Sequence, residues 1–154
     1  MAEPTDPRLV DPALLPDYSV WLALNPGLSL SSYAYSQVKL DHFFAVAAIL
    51  RPEVIQHAGG LFRAEGFTTR GFDDWFHATS GDLTAIERVV NHQHVGDLLV
   101  ALSEGPLPIL VSAGALIRDC WEARLRQLYP QVPTRVEMLC SDYDVEVTFI
   151  TVRS

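Results

Sequence analysis

The residues best suited to chemistry lie in the segment Glu87–Asp97, which reads ERVVNHQHVGD. Imidazole, carboxylate and amide groups three or four positions apart can share a proton or an ion when they lie on one side of a helix. The sequence predicts a helix over about residues 82–101, on which His94 lies between Asn91 and Asp97. These three residues are therefore the candidates for a catalytic group.

Three interpretations of this cluster stay open at this point. It could be a structural polar network, because buried polar groups normally find partners. It could be a general-base histidine that Asp97 orients. It could also be a metal site, which needs three or four converging ligands; the candidate ligands are His94, Asp97, His57 and His42. On the predicted helix His92 points about 200° away from His94, so the two histidines are not expected to act together.

The motifs that the sequence lacks and its net charge argue against several functional classes. None of the common nucleotide-binding or hydrolase signatures, such as G-x-G-x-x-G, G-x-x-x-x-G-K-[ST], H-E-x-x-H or G-x-S-x-G, occurs in the chain, and no cofactor is expected. There are 11 Lys and Arg residues against 19 Asp and Glu, which gives a formal charge of −8. Such a charge argues against binding to nucleic acid or to an anionic membrane surface.

Length and apolar content predict a folded chain with one core. The chain has 154 residues, of which 49% are apolar. Cys120 and Cys140 lie in apolar segments and are expected to be buried free thiols rather than a disulfide. The chain does not begin with a basic, apolar leader, and no apolar stretch approaches the ~18 residues of a membrane span. We therefore expect a cytoplasmic protein.

The N-terminal residues 1–17 are predicted to form an extended arm. Their prolines do not fit inside a regular helix, and they stand at Pro4, Pro7, Pro12 and Pro16. The leucines between them could pack on the domain that follows, residues 18–154, or on a second subunit. A homo-oligomer could form through this arm.

Besides the helix over about residues 82–101, two long helices and one short helix are predicted from apolar spacing. The first begins after Ser31 or Ser32 and ends near Arg51, because Pro52 disfavours helical geometry in the preceding residue. Its second half is apolar on every side, which predicts a central, buried helix with Phe44 in the core. A short helix is expected over about residues 71–78, and a last helix over about residues 108–129.

Two β-hairpins complete the predicted fold. The first, about residues 53–65, is predicted to turn at Gly59-Gly60, which places His57 opposite Phe62 on an apolar face. The second, about residues 134–152, is predicted to turn through two residues. Its expected cross-strand pairs are Cys140–Val145, Met138–Val147 and Val136–Phe149. The prediction is a single compact α+β domain, with the hairpins in a mainly antiparallel sheet packed against four or five helices.

The function expected from these observations is binding of a protein partner without catalysis. An acidic protein that neutralises or scaffolds a basic partner, as inhibitors and immunity proteins do, fits the charge of −8 through electrostatic steering. Aromatic and acidic residues in exposed positions are the candidates for contact, namely Trp75, Asp73, Asp74, Tyr143 and Asp142. The alternative is a small enzyme or metal-binding protein centred on His94, Asp97 and Asn91.

Overall fold

The architecture is known from a computed structural model that describes residues 9–154. Both helices and antiparallel strands are present, so the predicted α+β class is confirmed. Seven α-helices occur in this part of the chain, where four or five were expected. The elements are α1 (Pro16–Leu24), α2 (Leu30–Gln37), α3 (Leu40–Leu50), β1 (Val54–His57), β2 (Gly60–Arg63), α4 (Thr69–Ala78), α5 (Leu83–Val90), β3 (Gln93–His94), α6 (Val100–Ser103), α7 (Leu107–Leu128), β4 (Thr134–Cys140) and β5 (Val145–Thr151).

The chain divides into two compact units, one ending at Ala47 and one covering Ala48–Ser154. Within the first unit, the buried Tyr18 packs its ring against those of Trp21 and Tyr33, at centroid distances of 6.3 and 5.5 Å. Residues 1–8 of the predicted arm lie outside the described residues. The rest of the arm contains a 3₁₀ turn at Pro12–Leu14 and the first two residues of α1.

The first long helix of the prediction is two helices, α2 and α3. The side chain of Ser29, rather than that of Ser31 or Ser32, caps α2, and Val38 has extended backbone between the two helices. The expected burial of α3 is wrong, because Phe44 is 62% exposed. Ile49 and Leu50, at the end of α3, pack against the main core. Apolar residues on all sides of a helix indicate that other apolar groups should pack on it. They do not indicate whether those groups belong to the same chain or to a partner.

The two predicted hairpins both form, and they lie in separate sheets. Strands β1 and β2 make one sheet, and the other has the order β3-β5-β4 with antiparallel pairing throughout. In the second sheet Cys140 pairs with Val145, and Val136 pairs with Phe149, as the sequence predicts. Alternating apolar residues and a short turn determine this register, since a shift by one would expose the buried face.

The central strand β5 is covered on both faces. Helix α7 packs on one face, where Trp121 lies edge-on to Phe149 with ring centroids 5.8 Å apart. On the same face, a Cβ added to Gly114 would lie 2.7 Å from Val145 Cγ1, so this glycine permits close approach of the helix. Helix α5 lies along the other face, where Thr148 Oγ1 donates a hydrogen bond to the carbonyl of Arg88 at 3.0 Å.

The predicted register of the first hairpin is wrong, but the predicted face is correct. The turn residues are Ala58 and Gly59, with φ of 47° and 85°, so His57 pairs with Gly60 and Ile55 pairs with Phe62. Because the turn lies one residue earlier than predicted, each residue of β1 pairs with a residue of β2 two positions away from its predicted partner. Side chains alternate with a period of two, so His57 and Phe62 still share a face.

The two cysteines are free, and their burial differs from the prediction. Cys120 is half-buried in α7, and Cys140 is exposed at the end of β4. Burial, with the nearby charge of Asp119, raises the pKa of the Cys120 thiol. Among the described residues, no helix is both long enough and apolar enough to cross a membrane.

Candidate functional site

The segment that carries the candidate residues is not one helix. Helix α5 ends at Val90, Asn91 follows it, and the chain then enters the short strand β3 and a 3₁₀ turn, Val95–Asp97. The prediction of a continuous helix over residues 82–101 is therefore wrong. Asparagine side chains readily form hydrogen bonds with backbone groups outside a helix. The side-chain amide of Asn91 forms such bonds in the core.

The side chain of Asn91 links three elements of the core. Its Nδ2 donates to the carbonyls of Leu61 and Phe149 at 2.9 and 3.0 Å, and its Oδ1 accepts from the backbone N–H of Arg63 at 2.9 Å. Asn91 is completely buried. These hydrogen bonds join the two sheets through the end of α5. They give Asn91 a structural role.

Glu87, one turn before Asn91, is a second buried link that the sequence did not reveal. It is completely buried, and its carboxylate accepts from the backbone N–H groups of Leu61 and Thr151 at 2.8 and 2.9 Å. Arg153 Nη1 lies 2.7 Å from Glu87 Oε2. The side chain that caps the start of α5 is that of Asp82, which accepts a hydrogen bond from the backbone N–H of Ala85.

The side chain of His94 contacts two acidic residues of the neighbouring strand region. His94 Nδ1 lies 2.6 Å from Asp144 Oδ2 and 3.6 Å from Glu146 Oε1. The predicted partner, Asp97, is not within hydrogen-bonding distance and acts on His94 only through its charge. The prediction of a His94–Asp97 pair was wrong because it assumed helical geometry for residues joined by a strand and a 3₁₀ turn.

The acidic neighbours favour the protonated form of His94. The hydrogen bond with Asp144 is the largest cause that raises the pKa of His94 above its ordinary value. The charges of Asp144, Glu146 and Asp97 act in the same direction, and partial burial of the ring opposes them. The side chain of His94 is 39% exposed, so the cluster is open to solvent.

The backbone of the β4–β5 turn holds Asp144 in place. Asp144 Oδ1 accepts a hydrogen bond from the backbone N–H of Val145 at 2.8 Å, and the N–H of Asp144 donates to Ser141 Oγ at 3.0 Å. Glu146 is the direct cross-strand partner of His94. Two strands and a tight turn thus position all three side chains.

His92 and His94 lie beside one another, contrary to the helical-wheel prediction. Their ring centroids are 5.2 Å apart, and the rings are nearly perpendicular. His92 Nδ1 is hydrogen-bonded to the carbonyl of Val89. Positions i and i+2 diverge on a helix but share a face in extended backbone, and β3 is extended here.

The other two predicted metal ligands lie elsewhere. His57 packs against the rings of Phe67 and Phe72, at centroid distances of 5.2 and 4.7 Å, in the cluster around the first hairpin. His42 is an exposed residue of α3, in the unit that ends at Ala47. Among residues 9–154, the group whose ligand atoms lie within 4.8 Å of one another consists of His94, Asp144 and Glu146.

The predicted partner-contact residues occupy two exposed places. Asp73, Asp74 and Trp75 are exposed on α4, while Phe72 of the same helix is buried. Trp75 also lines a small cavity of about 160 Å³ beside Phe67 and Val90. At the β4–β5 turn, Tyr143 is 84% exposed and Asp142 lies next to it. The expected exposure at the hairpin tip is thus observed.

Comparison of the chain with protein families, with curated proteins and with solved structures gives no match. A function must therefore be inferred from the positions and contacts of the side chains. The cluster at His94 combines an oriented imidazole with two carboxylates, which is suitable for proton transfer or for binding a cation.

Proposed function

We propose that this protein acts by binding another protein, of basic character, through apolar side chains of its N-terminal helices. The observation that carries this proposal is the exposure of these side chains. Each of nine large apolar residues in α1, α2, α3 and the turns between them is at least 38% exposed. They are called the N-terminal apolar surface below and comprise Val20, Leu24, Leu28, Tyr35, Val38, Leu40, Phe43, Phe44 and Val46.

Exposed apolar area of this kind favours association. Removing apolar surface from water stabilises a complex by roughly 25 cal/mol for each Å², so each of these side chains that a partner covers adds to the affinity. Phe43 and Phe44 are the strongest members, because they are 59% and 62% exposed and their rings contact each other. Aromatic side chains contribute a large share of interface energy.

The charge of the protein favours a basic partner over a lipid surface. The formal charge is −8, and α1 and α3 each carry an aspartate in the first turn, Asp17 and Asp41. Acidic residues around an apolar contact speed association with a cationic protein and repel anionic lipid headgroups. Two other candidate contact regions are Asp73, Asp74 and Trp75 on α4 and Asp142 and Tyr143 at the β4–β5 turn. The experiment below compares the N-terminal apolar surface with the second of these regions.

Site-specific photo-crosslinking in cells tests the proposal. Chains carrying p-benzoylphenylalanine in place of Phe44, of Tyr143 or of the exposed Asp119 are irradiated and their adducts identified. We expect a basic protein to be crosslinked from position 44 and not from position 119. Adducts with lipid, with a second copy of the chain, or only from position 143 would each overturn the proposed surface.

Binding of the purified partner then measures the contribution of the surface. Replacing Phe43 and Phe44 together by serine should weaken the affinity at least tenfold, because it removes two aromatic anchors. The matched control is Val100→Ser, which changes an apolar residue that is 80% exposed on α6. Equal affinities for the two variants would contradict the proposal, provided that both unfold at the wild-type urea concentration.

A further inference from the structure

We infer that His94, Asp144 and Glu146 bind a divalent transition-metal cation of the Zn²⁺ class. This site is independent of the N-terminal apolar surface. One imidazole nitrogen and two carboxylates form a donor set that Zn²⁺ accepts readily, whereas Mg²⁺ prefers sites made of oxygen alone. The ligand atoms of all three side chains already lie within 4.8 Å of one another.

The distances fit a small tetrahedral ion. Bonds of about 2.0–2.2 Å place the ligand atoms of such an ion about 3.4 Å apart. His94 Nδ1 and Glu146 Oε1 are separated by 3.6 Å, close to that value. His94 Nδ1 and Asp144 Oδ2 are 2.6 Å apart and share a proton. The ion would replace this proton, and small side-chain rotations would separate the two atoms.

The backbone pre-organises the donors. His94 and Glu146 are paired residues of neighbouring strands, and Asp144 lies two positions before Glu146 on the same side of the extended chain. The second oxygen of Asp144 is held by the backbone N–H of Val145. Outer hydrogen bonds of this kind fix the orientation of a ligand and raise metal affinity.

His92 is an additional imidazole next to these three residues. The carbonyl of Val89 can only accept a hydrogen bond, so the Nδ1 atom of His92 that contacts it carries the proton. In the neutral ring the lone pair is then on Nε2. Metal-bound histidines typically donate their other nitrogen to a carbonyl in this way. The ring centroids of His92 and His94 are 5.2 Å apart.

Calorimetric titration of the untagged full-length protein with ZnCl₂, in a buffer without phosphate or chelator, tests the inference. We expect one Zn²⁺ per chain, and no displacement by excess Mg²⁺. Glu146→Gln, Asp144→Asn and His94→Ala should each weaken Zn²⁺ binding at least tenfold. Glu146 is 40% exposed, so Glu146→Gln should fold normally. This variant therefore tests the site even if one of the other two variants is unstable.

Two controls separate this site from adventitious binding. His77→Ala removes an exposed imidazole of α4, and the double variant Cys120→Ser, Cys140→Ser removes both thiols. Both should bind Zn²⁺ with wild-type affinity. The inference is overturned if the wild type shows no saturable binding, if Glu146→Gln binds as tightly as the wild type, or if affinity is lost with the thiols.

Discussion

His94 Nδ1 lies 2.6 Å from Asp144 Oδ2, which joins the edge strand β3 to the turn between β4 and β5 across 50 positions of sequence. The pair is partly exposed, with His94 at 39% and Asp144 at 24%. A charged hydrogen bond in this setting stabilises a fold modestly, since water can still reach both groups.

Replacing His94 should destabilise the metal-free protein more than replacing His92. We expect His94→Ala to lower the free energy of unfolding by about 1 kcal/mol, because Asp144 loses its charged partner. His92→Ala should stay within about 0.5 kcal/mol of wild type, since this residue is exposed. Urea denaturation in the presence of EDTA gives both values. A larger loss for His92→Ala would contradict the assigned pairing.

Asn91→Ala should be among the most destabilising polar substitutions in the chain. It leaves the carbonyls of Leu61 and Phe149 and the N–H of Arg63 without the partner they have now. Each buried group left unpaired costs roughly 1–3 kcal/mol, so we expect a total loss of about 3 kcal/mol in urea denaturation. The exposed Gln131→Ala serves as control and should change stability by less than about 0.5 kcal/mol. A loss from Asn91→Ala as small as that of the control would show that the bridge contributes little.

Phe44 and Phe62 should respond differently to the same substitution. Phe44 is 62% exposed and Phe62 is completely buried. We expect Phe44→Ala to cost less than about 1 kcal/mol and Phe62→Ala about 3–5 kcal/mol, because only the second leaves a cavity in the core. Thermal and urea unfolding of the two variants provide the comparison. A large loss from Phe44→Ala would mean that the chain itself covers this ring.

Glu137 should make stability depend on pH in the acidic range. Arg88 binds both oxygens of its carboxylate, at 2.9 and 3.1 Å, and Arg135 binds it at 2.8 Å. The hydrogen bond with Arg88, followed by that with Arg135, lowers the pKa of Glu137 below 4.5 in the folded state. The stability from this carboxylate is therefore fully present above pH 4.5 and is lost as the pH falls through the lowered value.

Urea denaturation of Glu137→Gln at several pH values tests this dependence. Near pH 7 the variant should be less stable than wild type by at most about 1 kcal/mol, because Arg88 is 43% exposed and solvent screens the pair. The difference should decrease below pH 4.5. The exposed Glu53→Gln should show a smaller difference at every pH. A difference for Glu137→Gln that grows on acidification has the wrong sign for this mechanism.

The local sequence pattern was sufficient to predict those elements whose structure depends on neighbouring residues. The β4–β5 hairpin has strict alternation and a turn of two residues, so its register followed from the sequence. Helix α7 has Pro108 in its first turn and Pro130 just beyond its end, and it begins and ends close to the predicted bounds. Short-range sterics and periodicity act within a few residues, and both are visible in the sequence.

Long-range contacts decided the rest, and with it the candidate site. Asn91 ends α5 where its amide meets backbone groups of β2 and β5, which lie 28 to 58 positions away. That break turns His92 and His94 onto one strand face and gives His94 partners at Asp144 and Glu146 instead of Asp97.

Periodicity and turn chemistry act locally, so the α+β class, the second hairpin and the last helix can be predicted from the order of the residues. The sequence also showed an excess of acidic groups and an unusually apolar helix near Phe44. The exposure of this helix, and the meeting of Asp144 and Glu146 with the distant His94, follow only from the packing of the elements. Burial and convergence depend on which elements pack together, and packing is a property of the whole chain rather than of any one segment.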